Sequence, residues 1–441
     1  MDKQIINHGL ITFTKKVLLL IFNFSSFMLL VRLLSKENFG IWVLFFLIVG
    51  SMQMIRNGFI MNPFLRYMKI SKSEELSSIR LTSFFLNFSL SVAIGLLIIL
   101  FRNSIALLLG APELTSFISL ACPIIILSAI RQSLSYHLTI QSEFLKMSIA
   151  EVLEKAFFFF LLLYLYWTNQ EVEIERLVGF QILFILFAIL LLSVFAYRSF
   201  HLSTSNWKTW IAKLSSYGKF TFGTNISSVL MRNIDSWMLG GMVSPAAVAT
   251  YNPAIRISNL FQVPADSLTT VLFPRAVSEI HEKGLDAAKK LYEKSSSFIL
   301  AAVIPLVIVI LLFTEEIILL IAGNEYLDSV EILQITMFYT IIIPFNRQLG
   351  MILTAMGLAK LNLLFIIRNA LLNTLLNYLL INTYGIQGAA YATLISYISI
   401  FVMNQLYLER KFNVEIKNYF KYFLEFYKLI FNQIWMKIIK R

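Results

Sequence analysis

GKFTFGTNISSVLMRNIDSWMLGGMVSPAAVATYNPAIRISNLFQVPADSLTTVLFPR, residues 218–275, is where the reading of the fold is decided. Two apolar stretches, predicted at 215–241 and 246–274, follow each other with only a short break near Val243, Ser244 and Pro245. Each is longer than the about 20 residues a helix needs to cross a bilayer. Neither is purely apolar. Arg232 and Asp235 lie inside the first, and Arg256 and Asp266 inside the second. A charge near the bilayer centre costs at least about 3 kcal/mol on insertion scales, so such residues point to a cavity, a partner or a ligand.

The pattern continues outward along the whole chain. Of its 441 residues 58% are hydrophobic and 14% charged, and the mean hydropathy is +0.75. A soluble domain carries charge on about a quarter of its residues. Crossings are predicted at 9–31, 39–61, 79–101, 114–138, 147–167, 177–197, 215–241, 246–274, 295–313, 329–353, 361–381 and 386–408. No interval between them would hold a soluble domain, which speaks against an anchored enzyme. The first stretch lacks a small-residue cleavage site and is expected to be a crossing, not a removed signal. The single cysteine, Cys122, cannot form an intrachain disulfide, so redox chemistry is not expected.

A net charge of +12 would suggest nucleic acid in a soluble protein, but here its distribution follows the positive-inside rule. Basic residues gather at the N-terminus (Lys3, Lys15, Lys16) and in alternate connections. These hold Arg66, Lys69, Lys72 and Arg80; Lys146; Arg198, Lys208 and Lys213; Arg275, Lys283, Lys289, Lys290 and Lys294; and Lys360. The opposite connections hold Arg32, Lys36, Arg102 and Arg176, together with Glu171, Glu173, Glu175, Glu315, Glu316, Glu325 and Asp328. This bias predicts that both termini are cytoplasmic. The tail, 409–441, adds eight basic residues from Arg410 to Arg441. Lys417, Lys421, Glu425, Lys428 and Asn432 share one helical side and Phe420, Phe423, Leu424, Tyr427, Ile430, Phe431 and Ile434 the other. That pattern predicts a basic amphipathic helix on the anionic leaflet, with a thirteenth crossing as the rival.

The two halves echo each other. Gly9-x-x-Thr12-Phe13 recurs as Gly218-x-x-Thr221-Phe222, Ser35 as Ser244, and Phe64-x-Arg66 as Phe273-x-Arg275, all at one offset. Arg131-Gln132 recurs as Arg347-Gln348 at an offset a few residues larger. Six crossings per half give both halves the same orientation, about an axis along the membrane normal. The expected architecture is therefore an all-α membrane protein of about twelve transmembrane helices. They form two parallel six-helix bundles, 1–208 and 209–408, around a central cleft, followed by the amphipathic tail. Alternating access would be one bundle rocking against the other.

Inside the crossings remain Arg56, Arg131, Lys155, Lys219, Arg232, Arg256, Arg347 and Arg368, against Asp235 and Asp266, with Glu151 and Glu154 near the start of the fifth. The surplus of cations implies that the missing anions come from outside the protein. An arginine fork suits phosphate through two parallel hydrogen bonds. Arg56 and Arg256, deepest in their crossings, are the first candidates for an anionic substrate, with Arg232, Asp235 and Asp266 lining or bracing the cleft. Arg131, Lys155, Lys219, Arg347 and Arg368 lie in the cytoplasmic portions, where they either join the cleft or extend to the headgroups. Arg232 and Asp235, one turn apart, are alternatively a structural ion pair. Asp266 either pairs with Arg56 or Arg256 or carries a coupling proton or sodium ion, and Asp235 shares that role. Prolines 123, 253, 264, 305 and 344 fall inside crossings, each permitting a bend.

Three segments resemble a known family. Asn233-x-Asp235 with Leu239-Gly240, Ala249-x-Tyr251-Asn252 and Leu272-Phe273-Pro274 is similar to the start of the second half of the polysaccharide flippases. Gly385-x-x-Gly388-Ala389-Ala390 with Ala392-Thr393 resembles their penultimate loop and last crossing, and Arg32-Leu33-Leu34-Ser35 with Phe39-Gly40 their first loop. The superfamily also holds multidrug and toxic-compound extruders and lipid II flippases. The resemblance covers nearly the whole chain. It implies a flippase for undecaprenyl-pyrophosphate-linked repeat units of O-antigen or capsule in a bacterial inner membrane. A polymerase or chain-length regulator of the same pathway is then a candidate partner.

Two rivals are kept. A multidrug exporter moves cations and favours acidic cavities, whereas this set of buried charges is basic. An O-antigen polymerase or ligase needs a large catalytic loop outside the membrane, and the connections here are short. His8, His137, His201 and His281 are scattered without metal-ligand spacing, and no G-x-x-x-x-G-K-[ST] loop is present, so no cofactor is expected.

Overall fold

A computed structural model describes residues 3–197 and 203–439. Arg198, His201, Lys440 and Arg441 lie outside the described residues, as do the side chains of Lys3, His8 and Lys437. Helices and turns account for the described chain: α1 Lys3–Leu33, α2 Lys36–Ile70, α3 Leu76–Leu100, α4 Arg102–Leu108, α5 Leu114–Phe117, α6 Ala121–Ile140, α7 Phe144–Trp167, α8 Ile174–Ala196, α9 Trp207–Met242, α10 Pro245–Leu260, α11 Gln262–Leu312, α12 Thr314–Ile321, α13 Ser329–Thr340, α14 Ile343–Ala355, α15 Ala359–Phe412 and α16 Ile416–Ile439. Among the described residues, eight helical stretches are long and apolar enough to cross a bilayer, and one of them, Ala359–Phe412, holds two predicted crossings. The crossings at 147–167, 215–241 and 246–274 fall outside that set. They are the ones carrying Glu151, Glu154 and Lys155, Arg232 and Asp235, and Arg256 and Asp266. The chain is an all-α membrane protein with its crossings in two successive sets of six.

Local chemistry explains where the helices differ from the predicted limits. α11 and α15 each run through two crossings and turn at a glycine, Gly284 (φ 66°, ψ −143°) and Gly385 (φ 57°, ψ −128°). Only glycine enters that region without a Cβ clash. The connection expected at 275–294 is thus helical on both sides of Gly284, and Arg275 supports its first turns by pairing with Glu279 four residues on, at 2.5 Å. Three of the prolines mark helix starts instead of bends. Pro123, Pro264 and Pro344 sit in the first turns of α6, α11 and α14, where no amide donor is needed. Pro253 and Pro305 lie within α10 and α11.

The repeat has a structural counterpart. Ser35 Oγ accepts from the Asn38 amide at 3.3 Å at the start of α2, and Ser244 Oγ accepts from the Ala247 amide at 3.1 Å at the start of α10. The matched serines are therefore matched N-caps, each satisfying an amide with no intrahelical partner.

By their internal contacts the helices group into two units, residues 1–233 with 240–249, and 234–239 with 250–441. In the first, Ile60, Met61, Phe64 and Met68 of α2 pack with Ile79 and Trp210, and Leu134, Leu138, Met147, Ala150, Leu192 and Ala196 join α6, α7 and α8. In the second, Ala288, Tyr292, Phe345, Ile352, Leu408 and Tyr419 unite α11, α14, α15 and α16.

The tail is helical and amphipathic, but it packs lengthwise on α11. Contacts advance together along the two helices. Glu293 meets Asn418, Lys294 pairs with Glu425 at 2.6 Å, Phe298 meets Phe426, and the Tyr427 hydroxyl donates to the Ala301 carbonyl at 2.7 Å. Glu293, 1% exposed, accepts from the Glu415 amide at 2.9 Å and from Asn418 at 3.0 Å, so it caps α16 from another helix. Glu415 itself is half-buried, its carboxyl held below the usual range by hydrogen bonds from Lys417 and Lys289. Glu293→Ala is expected to release residues 416–427. A hydrogen bond to a charged group contributes about 1.5–3 kcal/mol, so amide exchange there should rise at least about tenfold in hydrogen–deuterium exchange on the full chain. Glu415→Ala, which removes only its partly solvated pairs with Lys289 and Lys417, should change it less. Equal effects from the two substitutions would contradict the capping role.

Candidate functional site

The first unit holds its deepest charge on α2. Arg56 is 1% exposed. Its Nη1 donates to Ser91 Oγ at 3.0 Å and the Ile125 carbonyl at 2.8 Å, and its Nη2 to Gln132 Oε1 at 2.8 Å and Asn57 Oδ1 at 3.4 Å. All four partners are neutral. Around them Asn87 donates to the Ala129 carbonyl at 3.0 Å and Ser133 at 2.9 Å, and Gln53 to Ser128 at 3.0 Å. The result is a polar layer tying α2, α3 and α6 together inside apolar helices. Within it Arg56 Nε and Asn87 Oδ1 are the two atoms left without a hydrogen-bond partner among the described residues.

A separate ionic network joins α1, α6 and α7. Lys15 pairs with Glu151 at 3.1 Å, while Arg131 at 3.4 Å and Lys155 at 2.8 Å converge on Glu154, which is 2% exposed. Of the two places open to Arg131 and Lys155, cleft or headgroups, this geometry gives them a third, the carboxylate of α7.

The second unit encloses Asp235, 7% exposed, at the end of α9. It accepts from Tyr251 on α10 at 3.1 Å, and from Asn377 at 2.8 Å and Thr393 at 2.7 Å on the two arms of α15. Asn373, one turn from Asn377, donates to Thr393 at 3.3 Å and Ser396 at 3.4 Å. The amide oxygens of Asn373 and Asn377 have no hydrogen-bond partner. A carboxylate, two free amide oxygens, a hydroxyl and a phenol make an oxygen-rich cluster with no cationic partner for Asp235 among these contacts. Hard oxygen donors of this kind suit a small cation or a proton. No group of three or more His, Cys, Asp or Glu side chains forms a metal cluster among the described residues.

Three arginines complete the set in this unit. Arg347 pairs with Asp266, both side chains close to half exposed, and the neighbouring Gln348 donates to Thr269 at 3.1 Å. Asp266 therefore meets Arg347 instead of the expected Arg56 or Arg256. Arg368 donates to Asn404 at 2.6 Å and covers the Phe365 ring at 4.7 Å. Arg256 is exposed and donates to Asn252 at 3.1 Å. Arg232, in the first unit, is exposed; the three hydrogen-bond donors around Asp235 come from α10 and α15.

In both halves the Gln of the repeated Arg-Gln pair reaches the second crossing of its own set. Gln132 meets Arg56 on α2, and Gln348 meets Thr269 on α11. Residues 29–331 match the profile of a family described as polysaccharide biosynthesis protein.

The chain belongs to this polysaccharide biosynthesis protein family.

Other comparisons agree with the family at the level of fold. A solved multidrug resistance transporter of the MATE family, in the MOP superfamily, superposes with a TM-score of 0.74 at 14% identity, over 90% of this chain and 94% of that one. The lipid II flippase MurJ, in an inward closed conformation, gives 0.68 at 15% identity over 97% and 92%. A MOP-superfamily transporter from Pyrococcus furiosus, described as having a binding pocket of reverse polarity, gives 0.61 at 14% over 92% and 96%. An uncharacterised membrane protein of Methanocaldococcus jannaschii is 26% identical over 202 residues, 45% of this chain and 40% of that protein's length. This family member thus has the fold of membrane transporters and flippases, not that of an enzyme.

Tyr251 and Thr393 carried the family resemblance without a role, and they turn out to hold Asp235. Asn373 and Asn377 went unnoticed in the sequence. Two asparagines at i, i+4 inside an apolar stretch are the signal that marks them.

Proposed function

We propose that this protein moves an undecaprenyl-pyrophosphate-linked oligosaccharide, a repeat unit of O-antigen, capsule or a similar polymer, from the cytoplasmic to the outer leaflet of a bacterial inner membrane by alternating access. The basic connections and both termini then face the cytoplasm. The observation that carries the reading is the surplus of arginine inside the crossings of a polysaccharide biosynthesis family member. Arg232 and Arg256 are exposed, and Arg347 is half exposed beside Asp266. Each of these guanidinium groups is a candidate ligand of the pyrophosphate, and Arg56, Arg131 and Arg368 add positive charge within the crossings. In the arrangement described, Arg56 is engaged by four neutral partners, so direct contact with the anion requires their release. Asp235 and Asp266 are the acids available for ion coupling, and Asp235 has the better donor set for it. A likeness in fold to a lipid II flippase supports a lipid cargo.

The test is polymer export in cells lacking their own flippase. Arg232→Gln and Arg256→Gln are each expected to lower surface polymer at least about tenfold, equivalent to about 1.4 kcal/mol, with membrane abundance nearly unchanged. Lysine at either place should restore some of the loss, since it keeps the charge and loses the fork. Normal export by both glutamine variants would sink the anionic-cargo reading.

A further inference from the structure

The polar layer around Arg56 continues toward the basic end of the first unit. On α3, Ser83, Asn87 and Ser91 recur every four residues; on α6, Ile125, Ala129, Ser133 and His137 do the same. Each step is about one helical turn, so each set shares one face. Hydrogen bonds join the two faces. Asn87 donates to Ser133 and to the Ala129 carbonyl, and Ser133 donates to the same carbonyl at 2.9 Å. The Ser91 hydroxyl, which Arg56 engages, donates to the Asn87 carbonyl at 2.6 Å. A polar lane therefore runs between α3 and α6, from the first turns of α3 to the layer that holds Arg56.

At its basic end the lane meets a cavity among α2, α3 and α6. Arg80, Ser83, Ser133 and His137 line it, together with Met61 and two phenylalanine rings. Its volume is about 10 Å³, room for about one water molecule and too little for a phosphate or a sugar. Apolar cavities stay dry, whereas a buried water needs about two to four polar partners, which this lining supplies. Ser83 is 6% exposed, and its hydroxyl has no hydrogen-bond partner among the described residues. The same holds for Asn87 Oδ1, one turn further along. Buried polar atoms in native proteins are satisfied by protein or by ordered water. Arg56, beyond them, has neutral partners only, and a cation within a bilayer is relieved by water that comes near it.

We propose that ordered water occupies this cavity, held by Ser83, Ser133 and Arg80, and hydrates the lane as far as Asn87, at the edge of the Arg56 layer. The first unit thus carries a water inlet on its basic side. The inlet lowers the cost of holding a guanidinium among neutral groups, and it stands whatever the cargo is.

The experiment uses the full chain in a phospholipid nanodisc. A brief X-ray pulse makes hydroxyl radicals from water in place, and oxidation of methionine sulfur is read by mass spectrometry. Met61 lines the cavity and is 4% exposed, while Met147, 7% exposed, lies in the apolar core of α6, α7 and α8. By exposure alone Met61 should oxidise no faster than Met147. Water bound beside it should make it oxidise several-fold faster. Ser83→Val replaces the hydroxyl with methyl groups and fills the space, and should bring Met61 down to the Met147 rate. Ser83→Ala, the milder change, removes one partner of the water and should lower the Met61 rate in part. A parent chain whose Met61 is no faster than Met147 overturns the proposal. So does a fast Met61 that neither variant slows. If Ser83→Val speeds Met147 as well, that variant has lost its fold, and Ser83→Ala decides: a slower Met61 supports the inlet and an unchanged one overturns it.

Discussion

Asp235→Asn is expected to stop polysaccharide export while leaving the protein folded in the membrane. The asparagine keeps the size of the carboxylate and one acceptor oxygen. Its amide nitrogen meets the hydroxyl of Tyr251 or Thr393, and a hydroxyl can turn to accept as well as donate. The folded state therefore loses little. The charge, in contrast, is lost completely from a cluster whose other oxygens, on Asn373 and Asn377, carry only partial charge. If the cluster holds the coupling cation, export should fall by at least about 100-fold, equivalent to about 2.7 kcal/mol. Thermal unfolding of the purified chain supplies a readout apart from export. A cation bound only by the folded state raises the midpoint as its concentration rises. Sodium chloride against choline chloride at equal ionic strength tests a sodium ion, and the same comparison across pH tests a proton. The parent should respond to one of them and Asp235→Asn to neither. A variant that exports at the parental rate would remove Asp235 from coupling.

The second large effect is expected on stability. Arg56→Ala leaves Gln132, Ser91 and the Ile125 carbonyl facing a cavity among α2, α3 and α6. Orphaning a buried polar group costs about 1–3 kcal/mol, and more than one is orphaned here. A total loss of about 3–5 kcal/mol is a large fraction of the stability of most domains. Membrane abundance should fall severely, with the unfolding midpoint lowered. Arg56→Met separates packing from hydrogen bonding, because an apolar chain of similar length fills the space but leaves Gln132 and the Ile125 carbonyl unpaired. The methionine variant should recover only the part of the abundance that the cavity costs. If the protein that remains exports normally for its amount, neither the charge of Arg56 nor its hydrogen bonds serve transport; if it does not, the charge acts on the cargo. Removing Gln132 together with Arg56 should cost less than the sum of the two single losses, since they share one hydrogen bond. Full additivity would show that the polar layer does not act as a unit.

Much of this architecture is written in one dimension. Apolar length marks most of the crossings, and the alternation of Lys and Arg between connections helped to place the three more charged ones, 147–167, 215–241 and 246–274, so the two sets of six could be counted from residues alone. The repeated serines Ser35 and Ser244 were visible too, because an N-cap acts within three residues of itself. The limits of α11 and α15 were less legible. Their charged connections stay helical up to Gly284 and Gly385, and hydropathy sees only the bilayer, not a helix that extends beyond it.

The partners of the buried charges were decided by the tertiary structure. Asp235 is satisfied from 142 and 158 residues away by Asn377 and Thr393, and Asp266 meets Arg347 across 81 residues. Arg56 rests on neutral groups of α3 and α6, a solution that no count of acids and bases reveals. The sequence by itself determined which charges lie within the crossings, because burying a charge in lipid is a cost each helix meets alone. Which partner relieves that cost depends on helix neighbours and on the rotation of each helix about its axis. Those are set by side-chain packing between distant segments, and no local period in the chain encodes them.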